Sequence, residues 1–226
     1  DYIRRYKGTV VLHDYNLHPY VQHYALYLGK NNFKLYKEFL LEDFDEETTD
    51  KYIANLKNGS SQIKFNEMEL NGFVVNYAKK IIVHSYEARE KLLKKDICRN
   101  VRTIHSYAKI EPLVDNNRIK SDMQIDNKTI IMASFGHIQE TKRALPILKS
   151  FKRLIKNYNN IIYYFVGKLD ASIKPQFETF IIENNLEDKV VVTGYTELDE
   201  FVKYIDLADI CFNLRYPYNG ETSGSL

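Results

Sequence analysis

The sequence is poor in cysteine, which removes two classes of small protein from consideration. Its two cysteines, Cys98 and Cys211, lie far apart in a chain of 226 residues. Two isolated thiols make neither a disulfide framework nor a zinc site, since both need several ligands at short spacing. We expect both thiols to be reduced, as is usual in cytosolic proteins.

Long hydrophobic runs are also missing. No stretch approaches the roughly 18–20 apolar residues that a membrane helix needs, and the basic, apolar and small-residue order of a signal peptide does not occur. The sequence therefore predicts a soluble, cytoplasmic protein.

Neither sign of charge predominates. The chain has 32 Lys and Arg residues against 30 Asp and Glu residues, a formal net charge of +2, and no long block of either sign. A dedicated nucleic-acid binder would concentrate basic residues on one surface, so that class is disfavoured. The hydrophobic content of 44% is typical of a globular protein with a packed core, and the length lies between one and two typical domains of roughly 100–200 residues.

The second half of the chain alternates predicted strands and helices. Each predicted strand is a nearly continuous apolar run, which is typical of a parallel sheet covered by helices on both faces. The strands are 128–135, 161–166, 189–193 and 209–214, and the helices between them are 142–158, 173–185 and 197–206. We predict a doubly wound α/β domain.

The first half has the same character with a less regular pattern. The apolar runs 9–12 and 80–83 each lead into polar residues and are predicted as strands. Helices are predicted around 19–41 and 67–77 and over 87–95, the last with Ser85 as its N-cap. From 111 to 127 the periodicity disappears, so the predicted division is a first domain over 1–110, a linker over 111–127 and a second domain over 128–226. We expect sequence to be missing on both sides, because no strand with a Gly-rich turn opens the chain and no helix follows 209–214.

Loops after strands are the expected ligand sites, because open parallel sheets bind ligands beyond the carboxyl ends of their strands. The loop after 128–135 contains Gly136, His137, Lys142 and Arg143 and leads into a helix. A helix N-terminus with two nearby cations suits a phosphate or diphosphate. The alternative is an ordinary loop with two solvated basic side chains.

The loop after 209–214 is a second candidate. It contains Gly220, Glu221, Thr222, Ser223 and Gly224. Glycines permit a close approach of the backbone to a ligand, so N–H groups here suit phosphate and the carboxylate of Glu221 suits sugar hydroxyls. By composition alone, a plain surface turn fits equally well.

Histidines mark the loop after the first predicted strand. His13, His18 and His23 are spaced five residues apart, which matches no metal-ligand pattern, so no metal site is expected. His13, at the strand end beside Asp14, suits a polar contact to a sugar, although a purely structural hydrogen bond is the close alternative. His84 and Ser85 follow the strand 80–83, and for this pair a helix-capping role is favoured over a functional one.

Three segments, taken in this order, resemble the retaining glycosyltransferases of family 4, the group 1 glycosyl transferases of the GT-B class. They are Leu12–His18, Phe135–Arg143 and Gly220–Leu226, which together extend over essentially the whole chain. The resemblance implies two Rossmann-like doubly wound lobes, both incomplete, the first on the acceptor side and the second binding the nucleotide-sugar donor. It further implies a hexosyltransferase-type enzyme of glycan biosynthesis that uses a UDP- or GDP-linked sugar. Such an enzyme retains the anomeric configuration of the sugar and needs no cofactor. The acceptor would be a glycan, a lipid-linked sugar or a protein.

The resemblance also implies roles for particular residues. Lys142 would contact the donor diphosphate, Glu221 the donor sugar, and His13 the sugar near its reacting carbon. Thr222, Ser223 and Gly224 would lie around phosphate, as would Gly136 and Arg143. His137 stands where the family usually has arginine, which leaves one phosphate contact to a protonated His137 or to Arg143. A second motif glutamate would lie beyond Leu226.

Several alternatives remain open. A GT-B sugar-nucleotide epimerase and a non-catalytic GT-B lobe that serves in binding or assembly of a glycosylation complex are both compatible with these segments. A dehydrogenase is disfavoured because no Gly-x-Gly-x-x-Gly follows a strand. The sequence shows no Asp-x-Asp triplet of the kind that would hold a divalent ion, so metal-independent chemistry is expected. A lipid-linked acceptor would add peripheral attachment at the inner membrane face.

Overall fold

A computed structural model describes residues 2–59, 68–95, 100–105, 114–216 and 218. The chain divides into two compact units, which comprise mainly Asp1–Ala108 and Lys109–Pro217. No helix in the described part of the chain is both long and apolar enough to cross a membrane.

The first unit is built on a three-stranded parallel sheet. Its strands β1 (Thr9–Leu12), β2 (Lys80–Val83) and β3 (Val101–Thr103) lie in the order β1-β2-β3. The two strands predicted from the sequence are confirmed with the same bounds. The third was not predicted, because three residues with an arginine in the middle do not stand out as an apolar run.

Three helices of the first unit begin at recognisable capping residues. The side chains of Asn32, Asp45 and Ser85 accept hydrogen bonds from backbone N–H groups three residues further along. The predicted cap at Ser85 is thus confirmed, with 3.1 Å from Ala88 N to Ser85 Oγ. The helices are α1 (Tyr2–Tyr6), α2 (His18–Gln22), a π-helical segment (His23–Leu28), α3 (Phe33–Leu40), α4 (Glu46–Lys57), α5 (Gly72–Val75) and α6 (Tyr86–Leu93).

The second unit is a four-stranded parallel sheet in the order β6-β5-β4-β7. Its strands are β4 (Ile130–Phe135), β5 (Ile161–Val166), β6 (Val190–Val192) and β7 (Ile210–Cys211). Its helices are α7 (Asn116–Asp122), α8 (Ala144–Leu154), α9 (Lys174–Glu183) and α10 (Leu198–Leu207), with a 3-10 turn at Glu140–Lys142.

Both faces of this second sheet are buried. Along β5, Tyr163 and Phe165 pack into a core that contains Leu148 and Phe177, whereas Tyr164 and Val166 point into an opposite core that contains Ile131 and Leu207. Successive side chains of a strand point to opposite faces, so continuous apolar strands are needed to fill two cores. The predicted doubly wound α/β fold is confirmed.

Most predicted helices and several predicted strands differ from the structure at their ends. In the described residues, the helix predicted over 67–77 is limited to Gly72–Val75. The helix predicted over 142–158 begins at Ala144 and ends at Leu154, because Arg143 has a left-handed backbone (φ 57°) that separates it from the preceding 3-10 turn. The strand predicted over 209–214 is only Ile210–Cys211.

Part of the predicted linker is helical. Residues 116–122 form α7, whose N-cap Asp115 accepts a hydrogen bond from Asn117 N at 3.0 Å. Ile119 is buried, and Lys120 is buried against Asp209, with 2.9 Å between Nζ and Oδ2. A helix with one buried apolar side chain has no hydrophobic periodicity, so its sequence resembles a loop. The domain limits themselves remain a prediction.

Candidate functional site

The loops after β4 and β5 touch at two glycines. Gly136 and Gly167 both have positive φ, 84° and 141°, and a Cβ on Gly167 would lie 2.1 Å from the carbonyl oxygen of Gly136. Only glycine permits this approach. Pairing continues beyond the strands through a bridge between Ile138 and Leu169, so the loop that carries the predicted basic residues is anchored to the next loop.

His137 is paired with an acidic side chain of the neighbouring loop. Its Nε2 lies 2.9 Å from Oδ2 of Asp170. The other carboxylate oxygen of Asp170 accepts hydrogen bonds from the backbone N–H and the hydroxyl of Ser172. These bonds, first those from Ser172 and then that from His137, hold the pKa of Asp170 well below its usual range. His137 therefore has a carboxylate as its immediate partner.

Lys142 ends the 3-10 turn and is half-buried, in contrast to the alternative of a solvated basic side chain. Its Nζ donates a hydrogen bond to the carbonyl oxygen of Phe135, the last residue of β4. Burial, and then the positive charge of Arg215, lowers the pKa of Lys142. The two positive charges thus interact at the carboxyl edge of the sheet, where an anionic ligand would relieve their repulsion.

The loop after β7 is joined to the turn that carries Lys142. Tyr216 N donates to the carbonyl oxygen of Thr141 at 2.8 Å, and the guanidinium carbon of Arg143 lies 5.4 Å from the centre of the Tyr216 ring. A guanidinium over an aromatic face in this way gains a cation–π contact and can still donate its N–H groups to an anion. Arg215 was not predicted as a site residue, since a single arginine in a loop has no distinctive spacing.

A cavity of about 700 Å³ opens beside this turn, between the N-terminal ends of α8 and α9. Its size falls within the range of small-molecule sites. Its polar lining consists of Glu140, Thr141, Arg143, Lys149, Ser172, Gln176 and Tyr216.

In the first unit, histidines follow all three strands. His13 follows β1, and its Nδ1 lies 3.1 Å from Nε2 of His84, which follows β2. Nδ1 of His84 donates to Ile104 O at 2.7 Å, and Nδ1 of His105 donates to His84 O at 3.2 Å. The sequence singled out His13 and His84 separately. Their contact and the place of His105 depend on the order of strands, including the unpredicted β3.

His18, which belongs to the same sequence segment as His13, lies in the core of the first unit. Its Nδ1 donates to Met68 O at 2.7 Å, and its Nε2 accepts a hydrogen bond from the Tyr36 hydroxyl at 2.5 Å. Burial lowers the pKa of His18 to about 4. His18 is therefore a structural residue, and the imidazole that lies at the strand ends is His13.

The single Asp-x-Asp triplet of the sequence, Asp43-Phe44-Asp45, has structural roles. Asp43 accepts a hydrogen bond from Gly72 N at 2.8 Å and pairs with Lys95 at 3.2 Å. Asp45 caps α4. In the part of the chain that the structure describes, no group of three or more His, Cys, Asp or Glu side chains is arranged to hold a metal ion.

Four predicted site residues lie outside the described residues: Glu221, Thr222, Ser223 and Gly224. Their assignments stay predictions. The described residues before them interact with the turn that carries Lys142: the charge of Arg215 acts on Lys142, and the Tyr216 ring lies against Arg143. The two loops that the sequence singled out in this unit therefore come together at this turn.

Comparisons with known proteins bear on both units. Residues 115–222 match the family model described as Glycosyl transferases group 1. No curated protein sequence matches the chain. Sucrose-phosphate synthase from Thermosynechococcus elongatus is similar in structure, with a TM-score of 0.60 and 13% identity over 94% of this chain and 45% of that protein.

Two further solved structures are similar over a large part of the chain. HepE from Anabaena, in a complex with UDP, has a TM-score of 0.56 and 12% identity over 94% of this chain and 48% of its own. WaaG, a glycosyltransferase involved in lipopolysaccharide biosynthesis, has a TM-score of 0.52 and 9% identity over 73% of this chain and 48% of its own. The chain spans less than half the length of each of these three proteins, and at such identities the likeness concerns the fold. Residues 115–222, slightly less than half of the chain, are thus similar to the group 1 glycosyl transferases, and the α/β fold with parallel sheets is similar to that of GT-B glycosyltransferases.

Proposed function

We propose that this protein is a retaining glycosyltransferase of family 4 that moves a hexosyl group from a UDP- or GDP-linked donor to a glycan, a lipid-linked sugar or a protein. The observation that carries the proposal is the half-buried Lys142 beside Arg215, at the carboxyl edge of the second sheet and within the residues that match the family. The structure of HepE with UDP supports a nucleotide-sugar donor for this fold.

The chemistry proposed for this site is stabilisation of the departing nucleoside diphosphate. Negative charge grows on the phosphates as the bond to the sugar breaks, and cations already in place stabilise that charge without further reorganisation. Lys142 is held by Phe135 O and by its partly buried position. We infer that these protein cations do this work, with no metal ion and no cofactor.

Neighbouring residues complete the proposed donor site. Gly136 brings the backbone close to the ligand, and Arg143, stacked on Tyr216, takes the phosphate contact that the family assigns to arginine. His137 lies beside the site with Asp170 as its partner. Glu221 would contact the donor sugar, and Thr222, Ser223 and Gly224 the phosphates, as the resemblance implies.

His13 is proposed to contact the donor sugar from the acceptor-side unit. It is exposed at the carboxyl end of β1, where open parallel sheets bind ligands. We place the protein in the cytoplasm, and with a lipid-linked acceptor it would bind peripherally to the inner membrane face.

Release of nucleoside diphosphate tests the proposal. The full-length protein is incubated with a panel of UDP- and GDP-sugars, with and without acceptors, and NMR of the product gives the anomeric configuration. Acceptor-dependent release with retention, unchanged by a chelator, is the expected result. Binding without turnover would indicate a non-catalytic lobe, and interconversion of donors without an acceptor would indicate an epimerase. Inverted product would refute retention.

A further inference from the structure

Among the described residues, the side-chain hydrogen bond shown for His13 is with His84. The bond joins Nε2 of His84 to Nδ1 of His13 at 3.1 Å, and the ring centres are 4.7 Å apart. His84 is partly buried, whereas His13 is exposed. The more enclosed histidine is therefore in a position to orient the more accessible one.

The protonation pattern of His84 follows from its other contact. Its Nδ1 lies 2.7 Å from the carbonyl oxygen of Ile104, and a carbonyl oxygen only accepts hydrogen bonds, so Nδ1 carries the proton. In a neutral imidazole the second nitrogen is then an acceptor. Nε2 of neutral His84 must accept its bond from His13.

The same reasoning determines which ring nitrogen of His13 carries the proton. If Nε2 of His84 accepts, the bond between the two rings requires a proton on Nδ1 of His13, and Nε2 of His13 holds the lone pair. The pattern depends on β3, because Ile104 follows that strand and its N–H donates to Val83 O at 2.9 Å. The backbone of β2 and β3 therefore determines which nitrogen of His13 is basic.

We propose that His84 is a positioning residue that holds His13 as its Nδ1–H tautomer, so that Nε2 of His13 accepts a hydrogen bond from a hydroxyl of the donor sugar. The inference rests on the proposed function for its ligand, but the tautomer itself exists without any ligand. A histidine that served only as a helix-cap neighbour or packing residue would not select a tautomer of His13.

Long-range ¹H–¹⁵N NMR of the imidazoles in the full-length protein measures the tautomer directly, at a pH well above the ordinary histidine pKa of about 6.5. In the unliganded wild-type protein, we expect Nδ1 of His13 to give the signal of a protonated nitrogen and Nε2 that of a lone-pair nitrogen. The opposite assignment would overturn the proposal.

Two substitutions separate the two contacts of His84. His84→Asn keeps an N–H near the position of Nδ1, able to donate to Ile104 O, but has no acceptor for His13, so we expect His13 to change to the Nε2–H tautomer. His84→Gln places an oxygen near the position of Nε2 and should preserve the Nδ1–H tautomer. His105→Asn is the matched control, since among the described residues the hydrogen bond of its ring goes to the backbone of His84 and not to His13, and it should leave His13 unchanged. A tautomer of His13 that is the same in all three variants would refute the role of His84.

Transfer assays with the same variants test the functional half of the inference. His84→Asn should lower turnover by about 10- to 100-fold, the range found for residues that orient metal-ligating histidines, with a smaller change in KM, and His84→Gln should recover part of the loss. If the tautomer changes as expected while turnover does not, His84 still positions His13, but the proposed contact of His13 with the donor sugar is wrong.

Discussion

At the scale of single residues, Lys142 combines a charge, a fixed position and partial burial. Its Nζ is held by Phe135 O, and Arg215 contributes a second positive charge. Electrostatic contacts gain strength where water is partly excluded. The same residue on an open surface would contribute much less to the stabilisation of a leaving diphosphate.

Lys142→Met removes this charge while keeping most of the aliphatic side chain. We expect turnover to fall by about 10²–10³, the scale for the loss of one preorganised group that stabilises transition-state charge. Thermal unfolding should change little, because the apolar part of the side chain is retained. Lys152→Met, on the exposed part of α8, is the control, and equal activity of the two variants would leave Lys142 without a role in the reaction.

His18 makes stability depend on pH. Its pKa in the folded protein is lowered to about 4 from 6.5, so the unfolded chain binds the proton more tightly. The contribution of the neutral imidazole is complete above pH 6.5 and is lost as the pH falls towards 4. At about 1.36 kcal/mol per pH unit, this amounts to about 3 kcal/mol.

Urea unfolding of the wild-type protein and of His18→Gln, at neutral pH and near pH 4, measures this contribution. The glutamine keeps hydrogen-bonding groups but does not titrate, so its free energy of unfolding should fall less on acidification than that of the wild type. Equal losses in both proteins would mean that carboxylates alone cause the acid sensitivity.

At the scale of elements, the contact between the β4 and β5 loops depends on Gly167. Gly167→Ala would bring a Cβ within 2.1 Å of Gly136 O in a backbone conformation with φ of 141°. We expect a loss of about 3 kcal/mol in stability and weaker binding of the nucleotide sugar. Gly194→Ala meets no atom within 4 Å and should cost about 1–2 kcal/mol, from its left-handed backbone alone. A similar loss for both variants would show that the close approach does not matter.

Helix α7 is attached to the second sheet through charge. Lys120 pairs with Asp209 at 2.9 Å, and the same Asp209 oxygen accepts a hydrogen bond from Ile131 N in β4 at 2.7 Å. Asn116 Nδ2 lies 3.4 Å from the other carboxylate oxygen. The loss of the charged partner of a partly buried carboxylate costs about 1–3 kcal/mol.

Lys120→Met should therefore destabilise the protein by that amount, although methionine fills the same space. Denaturant unfolding of Lys120→Met, Asp209→Asn and the double variant forms a double-mutant cycle. A coupling energy near zero would mean that this ion pair does not hold α7, and that the packing of Ile119 and the hydrogen bonds from Asn116 to the carbonyl oxygens of Asp206 and Leu207 do.

At the scale of the whole molecule, Lys142 and His13 are proposed to have separate roles. Lys142 belongs to the second unit and is assigned to the diphosphate, whereas His13 belongs to the first unit and is assigned to the sugar. The affinity for UDP or GDP without a sugar should therefore depend on Lys142 and not on His13.

Calorimetric titration of the nucleoside diphosphate into the full-length protein tests this division. Lys142→Met should weaken binding of the nucleotide, whereas His13→Ala should leave it unchanged and lower only sugar transfer. A loss of nucleotide affinity in His13→Ala would assign the histidine to the phosphates instead.

The sequence alone determined the elements whose signal is local and repeated. The apolar runs of β1, β2 and β5 appear with the predicted bounds, because a buried parallel strand needs a continuous apolar segment. The polar residues that follow such strands were identified for the same reason, and His13 and Lys142 are among them. The cap at Ser85 is likewise a local feature, because the hydrogen bond joins Ser85 to the N–H of Ala88, three residues further along.

Tertiary structure decided what depends on partners distant in the chain. α7 is a helix because Ile119 and Lys120 find partners in the sheet, and β3 is a strand because β2 lies beside it. His18 is separated from His13 by burial against Met68 and Tyr36, although five residues are all that separate the two in sequence. The hydrogen bond of His13 with His84 and the charge interaction of Lys142 with Arg215 join residues from different strand ends. Spacing along the chain carries no information on such pairs, because the order of strands in the sheet, and not their order in sequence, brings them together.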